Sequence, residues 1–330
     1  MSSRTTNDAA VALAGVTKTF GATTAVDALD LTIPRGALYG FIGPNGAGKT
    51  TSIRLIMSIL FPDAGQLSVL GHKSALEAKD RIGYLPEERG VYRKMKVEAY
   101  LSFIARLKGV PEQGLMQRIR DLVASVGLEG VEGKRCEDLS KGMLQKIQFV
   151  AAIVHTPDLL ILDEPFSGLD PVSMRLLRDL IVAEHQRGAT ILFSTHVMQQ
   201  AEDICDHVVM IHRGRKVLDD PVSDIRGRYD TRVVTLEPLN ESADLGSLRA
   251  LKLVESVERA DGGYDLQLRA GTDPAEAIRA VVGVLPVARI ELKRPSLEDV
   301  FVDLVTAGAS SEAERHLRAE LRGSVPVEPS

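Results

Sequence analysis

The sequence predicts an α/β core built on a parallel sheet and carrying a helical insert, followed by a small α+β unit. Three observations predict it. The stretch Gly43-Pro44-Asn45-Gly46-Ala47-Gly48-Lys49-Thr50 lies between an apolar, strand-like run, Ala37 to Ile42, and a helix-like one, Thr51 to Leu60. It is a phosphate-binding loop of the form Gly-x4-Gly-Lys-Thr in the setting such a loop requires. From Val11 to about Asp220, short apolar runs alternate with helical patterns, as they do where helices join parallel strands. From Arg228 onward the patterns run strand, helix, strand, strand, helix, strand, the order of a ferredoxin-like split unit.

Within the core, the strand candidates are Ala37–Ile42, Gln66–Leu70, Arg81–Leu85, Leu159–Leu162 and Thr190–Ser194. A largely helical insert fills Val97 to Gly127, where Leu101, Ile104, Ala105 and Leu107, then Leu115, Ile119, Leu122 and Val123, recur at helical spacing. His207–Ile211 and Lys216–Asp219 flank Arg213-Gly214, a hairpin turn. In the second unit, Arg232–Leu236 reads as a strand and Asp244–Leu253 as a helix. Val254–Arg259 and Tyr264–Arg269 form a hairpin around Asp261-Gly262-Gly263. Asp273-Pro274 starts a helix running to Val284, Val287–Leu292 is a strand, and Pro295–Val305 is a closing helix. The expected organisation is a nucleotide-binding domain over 1–227 with its insert at about 88–150, an accessory domain over 228–305, and a loose polar tail over 306–330.

Composition narrows the function. Hydrophobic residues make up 44% of the chain and charged residues 26%, the balance of an ordinary soluble globular protein. No apolar run approaches the length of a membrane span, and Met1 to Asp8 is polar rather than signal-like. A cytoplasmic location follows as an expectation. Cys136 and Cys205 lack metal-site spacing and are expected to be reduced and structural. A net charge of −5 gives no basic footprint, and the absence of Trp removes the best stacking platform, so no nucleic-acid partner is expected.

The chemistry begins at the loop. Glycines let successive backbone N–H groups of residues 45–48 point inward at phosphate oxygens, and the helix opening at Thr51 adds the positive end of its dipole. Lys49 would reach the β- and γ-phosphates and the Thr50 hydroxyl would ligate Mg2+. Downstream, Leu159-Leu160-Ile161-Leu162-Asp163-Glu164-Pro165 is an apolar strand ending in two carboxylates. A buried parallel strand delivers its C-terminal residues to the edge where ligands bind. Asp163 would hold Mg2+ through water, and Glu164 would polarise the attacking water as a general base. The bland alternative is a surface turn after a core strand.

Leu139-Ser140-Lys141-Gly142-Met143 precedes a helical run, Leu144 to Val154, and taken alone marks only a serine N-cap. The order of motifs says more. A phosphate loop, a helical insert, Leu-Ser-Lys-Gly-Met, an Asp-Glu-Pro strand, Ser167-Gly168-Leu169-Asp170 and Ser194-Thr195-His196 together resemble the nucleotide-binding domain of an ABC transporter over roughly Val11 to Asp220. The resemblance implies a P-loop NTPase core of the ABC ATPase type, binding ATP and Mg2+. It implies that Phe20 stacks on adenine, the alternative being a core phenylalanine. Ser140 and Gly142 would contact the γ-phosphate of ATP held by the other protomer, Asp170 would communicate across the dimer, and His196 would contact the γ-phosphate. ATP would then be sandwiched in a homodimer or heterodimer, whose closure and opening give a mechanical stroke.

Lys141 and Met143 depart from the usual Leu-Ser-Gly-Gly-Gln signature, and Glu87, in Tyr84-Leu85-Pro86-Glu87-Glu88-Arg89-Gly90, stands where a glutamine is usual. A carboxylate there would ligate Mg2+ or hold water while repelling the γ-phosphate, with Arg89 or Lys141 as candidate compensating cations. Leu-Pro-Glu-Glu-Arg-Gly, Leu-Ser-Lys-Gly-Met and Arg294-Pro295-Ser296-Leu297-Glu298-Asp299-Val300-Phe301 together resemble bacterial ABC-2-type exporter ATPases of the sodium- and drug-efflux kind. That implies export through a separate integral-membrane permease, gripped near Glu87 and Tyr92 to Tyr100. Two other readings are a permease-free ABC-type ATPase and a P-loop kinase. The single phosphate loop and the absence of sustained heptads weigh against the first. A second-protomer signature and a strand-end histidine have no use in the second.

Overall fold

The structure is a computed structural model describing residues 9–88, 90–228, 232–240, 245–260, 262–293 and 296–306. It opens with a long hairpin, β1 (Ala9–Phe20) and β2 (Thr23–Pro34), turning at Gly21 in the left-handed region, φ 57°. Next come β3 (Leu38–Ile42), α1 (Lys49–Ile56), β4 (Ala64–Val69) and β5 (Ile82–Leu85). The helical insert holds α2 (Val97–Leu107), α3 (Leu115–Ser125) and α4 (Lys141–Ile153). The chain continues with β6 (Leu159–Asp163), α5 (Pro171–Gln186), β7 (Thr190–Thr195), α6 (Met198–Ile204), β8 (His207–His212), β9 (Arg215–Pro221) and α7 (Val222–Arg228).

Six strands form one sheet in the order β5-β6-β7-β3-β8-β9, parallel except for β9. Every residue of β3, β6 and β7 is buried, which is why these strands read as continuous apolar runs rather than alternating ones. A second, antiparallel sheet has the order β2-β1-β4. Ile53, Leu55 and Ile56 of α1 join Phe41, Ile161, Leu192 and Val209 of the large sheet and Leu31 and Ile33 of β2 in one core. The insert has a core of its own. Val97, Leu101 and Ala105, then Leu115, Ile119 and Val123, are buried at four-residue spacing and close on Ile147 and Val150 of α4. Cys136 and Cys205 are buried free thiols, as expected.

The sequence reading omitted β1 and β2. In β2 the alternation Leu29, Leu31, Ile33 is clear, but Val26 falls out of phase because Ala28 turns to φ 46° and the pairing slips. The helix expected to run to Leu60 ends at Ile56, because Ser58 adopts φ 55°, outside helical geometry.

Among the described residues, contacts group 9–222 with 301–306 and set apart a second unit, Ser223–Val300. The second unit contains β10 (Val233–Pro238), α8 (Gly246–Arg249), β11 (Val254–Ala260), β12 (Gly263–Leu268), α9 (Pro274–Val284) and β13 (Val287–Lys293). A last helix, α10, spans Leu297–Thr306. The four strands form an antiparallel sheet in the order β11-β12-β10-β13, the order of the expected split unit. Val234, Leu236, Leu266 and Leu268 face Leu248, Ala277 and Val281 in a separate small core. Asp273 caps α9 by accepting from Ala275 N at 3.0 Å. The helix expected over Asp244–Leu253 is a single turn, Gly246–Arg249, and Asp244 lies outside the described residues. Residues 307–330, Arg89, Asp261, Arg294 and Pro295 also lie outside them.

Candidate active site

The fully buried strand β3 delivers the chain to the phosphate loop at the carboxyl edge of the sheet. Two glycines are demanded by space as well as by backbone angle. A Cβ on Gly43 would collide with the Ile211 carbonyl oxygen, and one on Gly48, at φ 106°, with that of Ala25. The first turn of α1 carries no acidic residue, so its N-terminal amides keep their positive end unneutralised. Lys49 is buried and its Nζ donates to the loop's own carbonyls, Gly43 O at 2.7 Å and Pro44 O at 3.1 Å. The same Nζ lies 3.9 Å from Glu164 Oε1. Burial pulls the ammonium below its usual pKa, while the carboxylates of Glu164, Asp163 and Glu87 act in the opposite direction.

A cavity of about 300 Å3 is lined by Asn45, Gly46, Gly48, Lys49, Thr50 and Thr51 of the loop and helix, by Glu87 and Glu164, and by Ala25 of β2. The structure thus brings most of the residues expected around phosphate to one cavity. Glu87, just beyond β5, has its pKa raised by partial burial and then by Asp163 and Glu164. The cations that act on it are Lys49 and His196. Lys141 instead lays its side chain against Gly168, and Arg89 lies outside the described residues.

Asp163 ends β6 fully buried. Its Oδ1 accepts from the Ser194 hydroxyl of β7, and its Oδ2 is buried with no partner among the described residues. Burial pushes its pKa up, and the Ser194 and Thr50 hydroxyls pull the other way. A buried, unpartnered carboxylate oxygen beside a threonine hydroxyl is the donor set a hard cation wants. Among the described residues no three acidic, histidine or cysteine side chains close around one point.

Glu164 follows at φ 48°, a left-handed backbone that costs a non-glycine residue about 1–3 kcal/mol. Its N–H donates to Ser194 O at 3.1 Å, which fixes the turn. Oε1 accepts from His196 N at 2.9 Å and from His196 Nδ1 at 2.8 Å, and Thr195 Oγ1 lies 3.4 Å from Oε2. The bond to Glu164 raises the pKa of the His196 imidazole above its usual value, against the effect of partial burial. One carboxylate oxygen is therefore pinned by a histidine while the residue itself lines the cavity.

The remaining expected residues stand apart from that cavity's lining. Phe20 ends β1 with 48% of its surface exposed and the Lys18 ammonium 5.6 Å above its ring, which sets aside the core alternative. Ser140 is the N-cap of α4, accepting from Met143 N at 3.3 Å. Gly142 sits in that helix's first turn near Leu169 and Gly168. Asp170 is the N-cap of α5, accepting from Val172 N, Ser173 N and the Ser173 hydroxyl, which together hold its pKa below the usual range. Sequence reasoning missed Ala25, and named Ser194 and Thr195 within a motif without giving them a role. Their available signal was position: Ser194 and Thr195 end a buried strand next to β6, just as Asp163 and Glu164 end β6 itself.

A glycine loop between strand and helix, a buried lysine, and two carboxylates at the end of β6, one strand removed from β3 in the same sheet, define a P-loop ATPase site. Comparison with known proteins gives the family. Residues 26–167 match the ABC transporter model, and residues 221–305 match the model described as "ATP-binding protein DrrA1-3-like, C-terminal domain". The uncharacterised ABC transporter ATP-binding protein YhaQ of Bacillus subtilis is 39% identical, over 88% of this chain and 97% of its own. The daunorubicin/doxorubicin resistance ATP-binding protein DrrA of Streptomyces peucetius is 31% identical, over 89% of this chain and 92% of its own. A solved ATP-binding subunit of an ABC transporter superposes with a TM-score of 0.62 at 31% identity, over 66% of this chain and 92% of the other. The chain belongs to the ABC transporter ATP-binding subunits. It carries an ATP-binding, ATP-hydrolysing domain whose work is coupled to transport with a membrane permease. Among the described residues no helix is long and apolar enough to cross a membrane.

Proposed function

We propose that this chain is the motor subunit of an exporter, closing as a dimer around two ATP molecules and driving a separate integral-membrane permease. The observation that carries the hydrolytic part is Glu164, anchored by His196 through one oxygen while lining the phosphate-loop cavity. The loop amides and Lys49 hold the phosphates, Lys49 exchanging its bonds to Gly43 O and Pro44 O for phosphate oxygens. Thr50 and Asp163, with Glu87, would hold Mg2+, and the bound ion would neutralise charge on the phosphate oxygens. Glu164 takes a proton from water as the water oxygen bonds to the γ-phosphorus and the bond to the bridging oxygen breaks, giving ADP and phosphate. His196 orients Glu164. Phe20 offers an exposed ring to adenine, and Ser140, Gly142 and Asp170 form the face presented to the partner's ATP. The direction of transport is supported by the match of the 221–305 segment and by the resistance function in the name of the Streptomyces relative. Residues 1–227 do the ATP work in this reading, and 228–305 serve as an accessory domain.

The test is a detergent pull-down of tagged Glu164→Gln protein from its native membranes, with and without Mg-ATP. A multi-span membrane protein recovered with the chain is the expected result. Recovery of soluble proteins alone from well-solubilised membranes contradicts the permease reading and favours a soluble ABC-type ATPase.

A further inference from the structure

The hydrogen bonds around Glu164 end in a residue that none of the motifs includes. Thr195 Oγ1 carries a single proton and has three polar neighbours. Val197 N donates to it at 3.0 Å, Gln200 Oε1 lies 2.8 Å away, and Glu164 Oε2 lies 3.4 Å away. A hydroxyl gives its one proton to the better-placed acceptor, and 3.4 Å is beyond the ordinary O–H···O range. Gln200 therefore takes the Thr195 proton and Glu164 Oε2 receives no strong bond from it. Oε1, meanwhile, is saturated by two N–H donors from His196. The two oxygens of Glu164 are thus unequal, one anchored and one with lone pairs to spare.

We propose that Gln200, in the first turn of α6, is a positioning residue for hydrolysis that holds the Thr195 proton away from Glu164 and so keeps Oε2 open to the attacking water. The inference rests on the reading of Glu164 as general base. The geometry fits the task in two further ways. Thr195 is completely buried, so in the structure its near acceptor is the amide of Gln200 rather than solvent. The amide is also neutral and adds no charge to a site already holding Glu87, Asp163 and Glu164. Of the two acceptors that Thr195 Oγ1 has among the described residues, losing the one at position 200 leaves Glu164 Oε2. The hydroxyl then occupies the lone pair that water needs.

The experiment measures steady-state Mg-ATP hydrolysis and ATP affinity for the full chain and for Gln200→Met, Gln200→Glu, Thr195→Val and the Thr195→Val/Gln200→Met pair, with Glu164→Gln alongside. Gln200→Met, which keeps length and loses the acceptor, is expected to lower kcat about tenfold with KM for ATP unchanged, the worth of one misplaced hydrogen bond. Gln200→Glu, which keeps an acceptor oxygen but adds a charge, is expected to restore part of that loss. In the Thr195→Val background Gln200→Met is expected to have no further effect, because the proton it controls is gone. Equal losses in Met and Glu variants, an undiminished loss in the Thr195→Val background, or kcat and KM falling together would overturn the inference. Should Gln200→Met fail to fold by melting temperature, Gln200→Ala takes its place in the same comparisons. Turnover retained by Glu164→Gln would overturn the base assignment itself. An inactive Glu164→Gln with an unaffected Gln200→Met would overturn only the role of Gln200.

Discussion

Lys49 and Gly48 show how little freedom the phosphate loop leaves a single residue. Lys49 is buried among carboxylates and bonded to two loop carbonyls, so its ammonium is already placed where phosphate oxygens would replace them. Lys49→Ala removes charge-assisted bonds and is expected to weaken ATP binding roughly 10- to 100-fold in a calorimetric or fluorescent-nucleotide titration. Binding unchanged by the substitution would refute the loop assignment. Gly48→Ala is expected to abolish binding by a different route, because the new methyl group meets the Ala25 carbonyl and the backbone angle is left-handed. At this scale the sequence located residues wherever a motif is carried by immediate neighbours, as in the loop, Asp163-Glu164 and the strand-end His196. It gave no partner for Ser194 and was silent on Gln145. Their partners, Asp163 and the Pro165 carbonyl, lie 31 and 20 residues away and only sheet pairing or helix packing brings them close.

Elements were legible to the extent that their periodicity is unbroken. The buried runs of β3, β6 and β7 and the four-residue spacing of α2 and α3 survive intact, and each was readable. Slipped pairing hid the β1–β2 hairpin, and a single-turn α8 is too short for a helical period to show. His155, just past α4, supplies a prediction for the junction between that helix and β5. It is buried, and its Nε2 is 3.1 Å from the Ile82 carbonyl oxygen. Burial, with the Lys108 and Arg118 cations nearby, pushes its pKa down from 6.5 to about 4, while the Ile82 bond and Asp80 pull upward. The native state thus keeps a neutral imidazole that the unfolded chain would protonate. The stability this contributes is complete above the unfolded value and is lost as pH falls toward the folded one, by up to about 3 kcal/mol. Between about pH 7.5 and about pH 4.5, the melting temperature of His155→Gln is expected to fall less than that of the unaltered protein. Parallel pH dependence in the two would show that His155 does not couple to folding.

On the scale of the whole molecule, the two units have separate cores. The second unit depends on a small cluster that includes Leu236, fully buried between β12 and β13. Leu236→Asp places an unpaired charge there and is expected to unfold that unit at a cost above about 3 kcal/mol while ATP still binds the first. Loss of ATP binding in this variant would show that the units do not fold independently. The division into a phosphate-loop core and a βαββαβ unit was legible because each has its own order of patterns. What the second unit does was not, since no residue in it carries a chemical motif.

The central claim is that Glu164 is the base of an ATP-hydrolysing site whose binding machinery is independent of it. The measurement that tests it most directly is ATP turnover and ATP binding on one preparation of Glu164→Gln. Turnover is expected to fall at least about 100-fold, with ATP affinity retained and an ATP-bound dimer accumulating in sedimentation. Turnover close to that of the unaltered protein would contradict it.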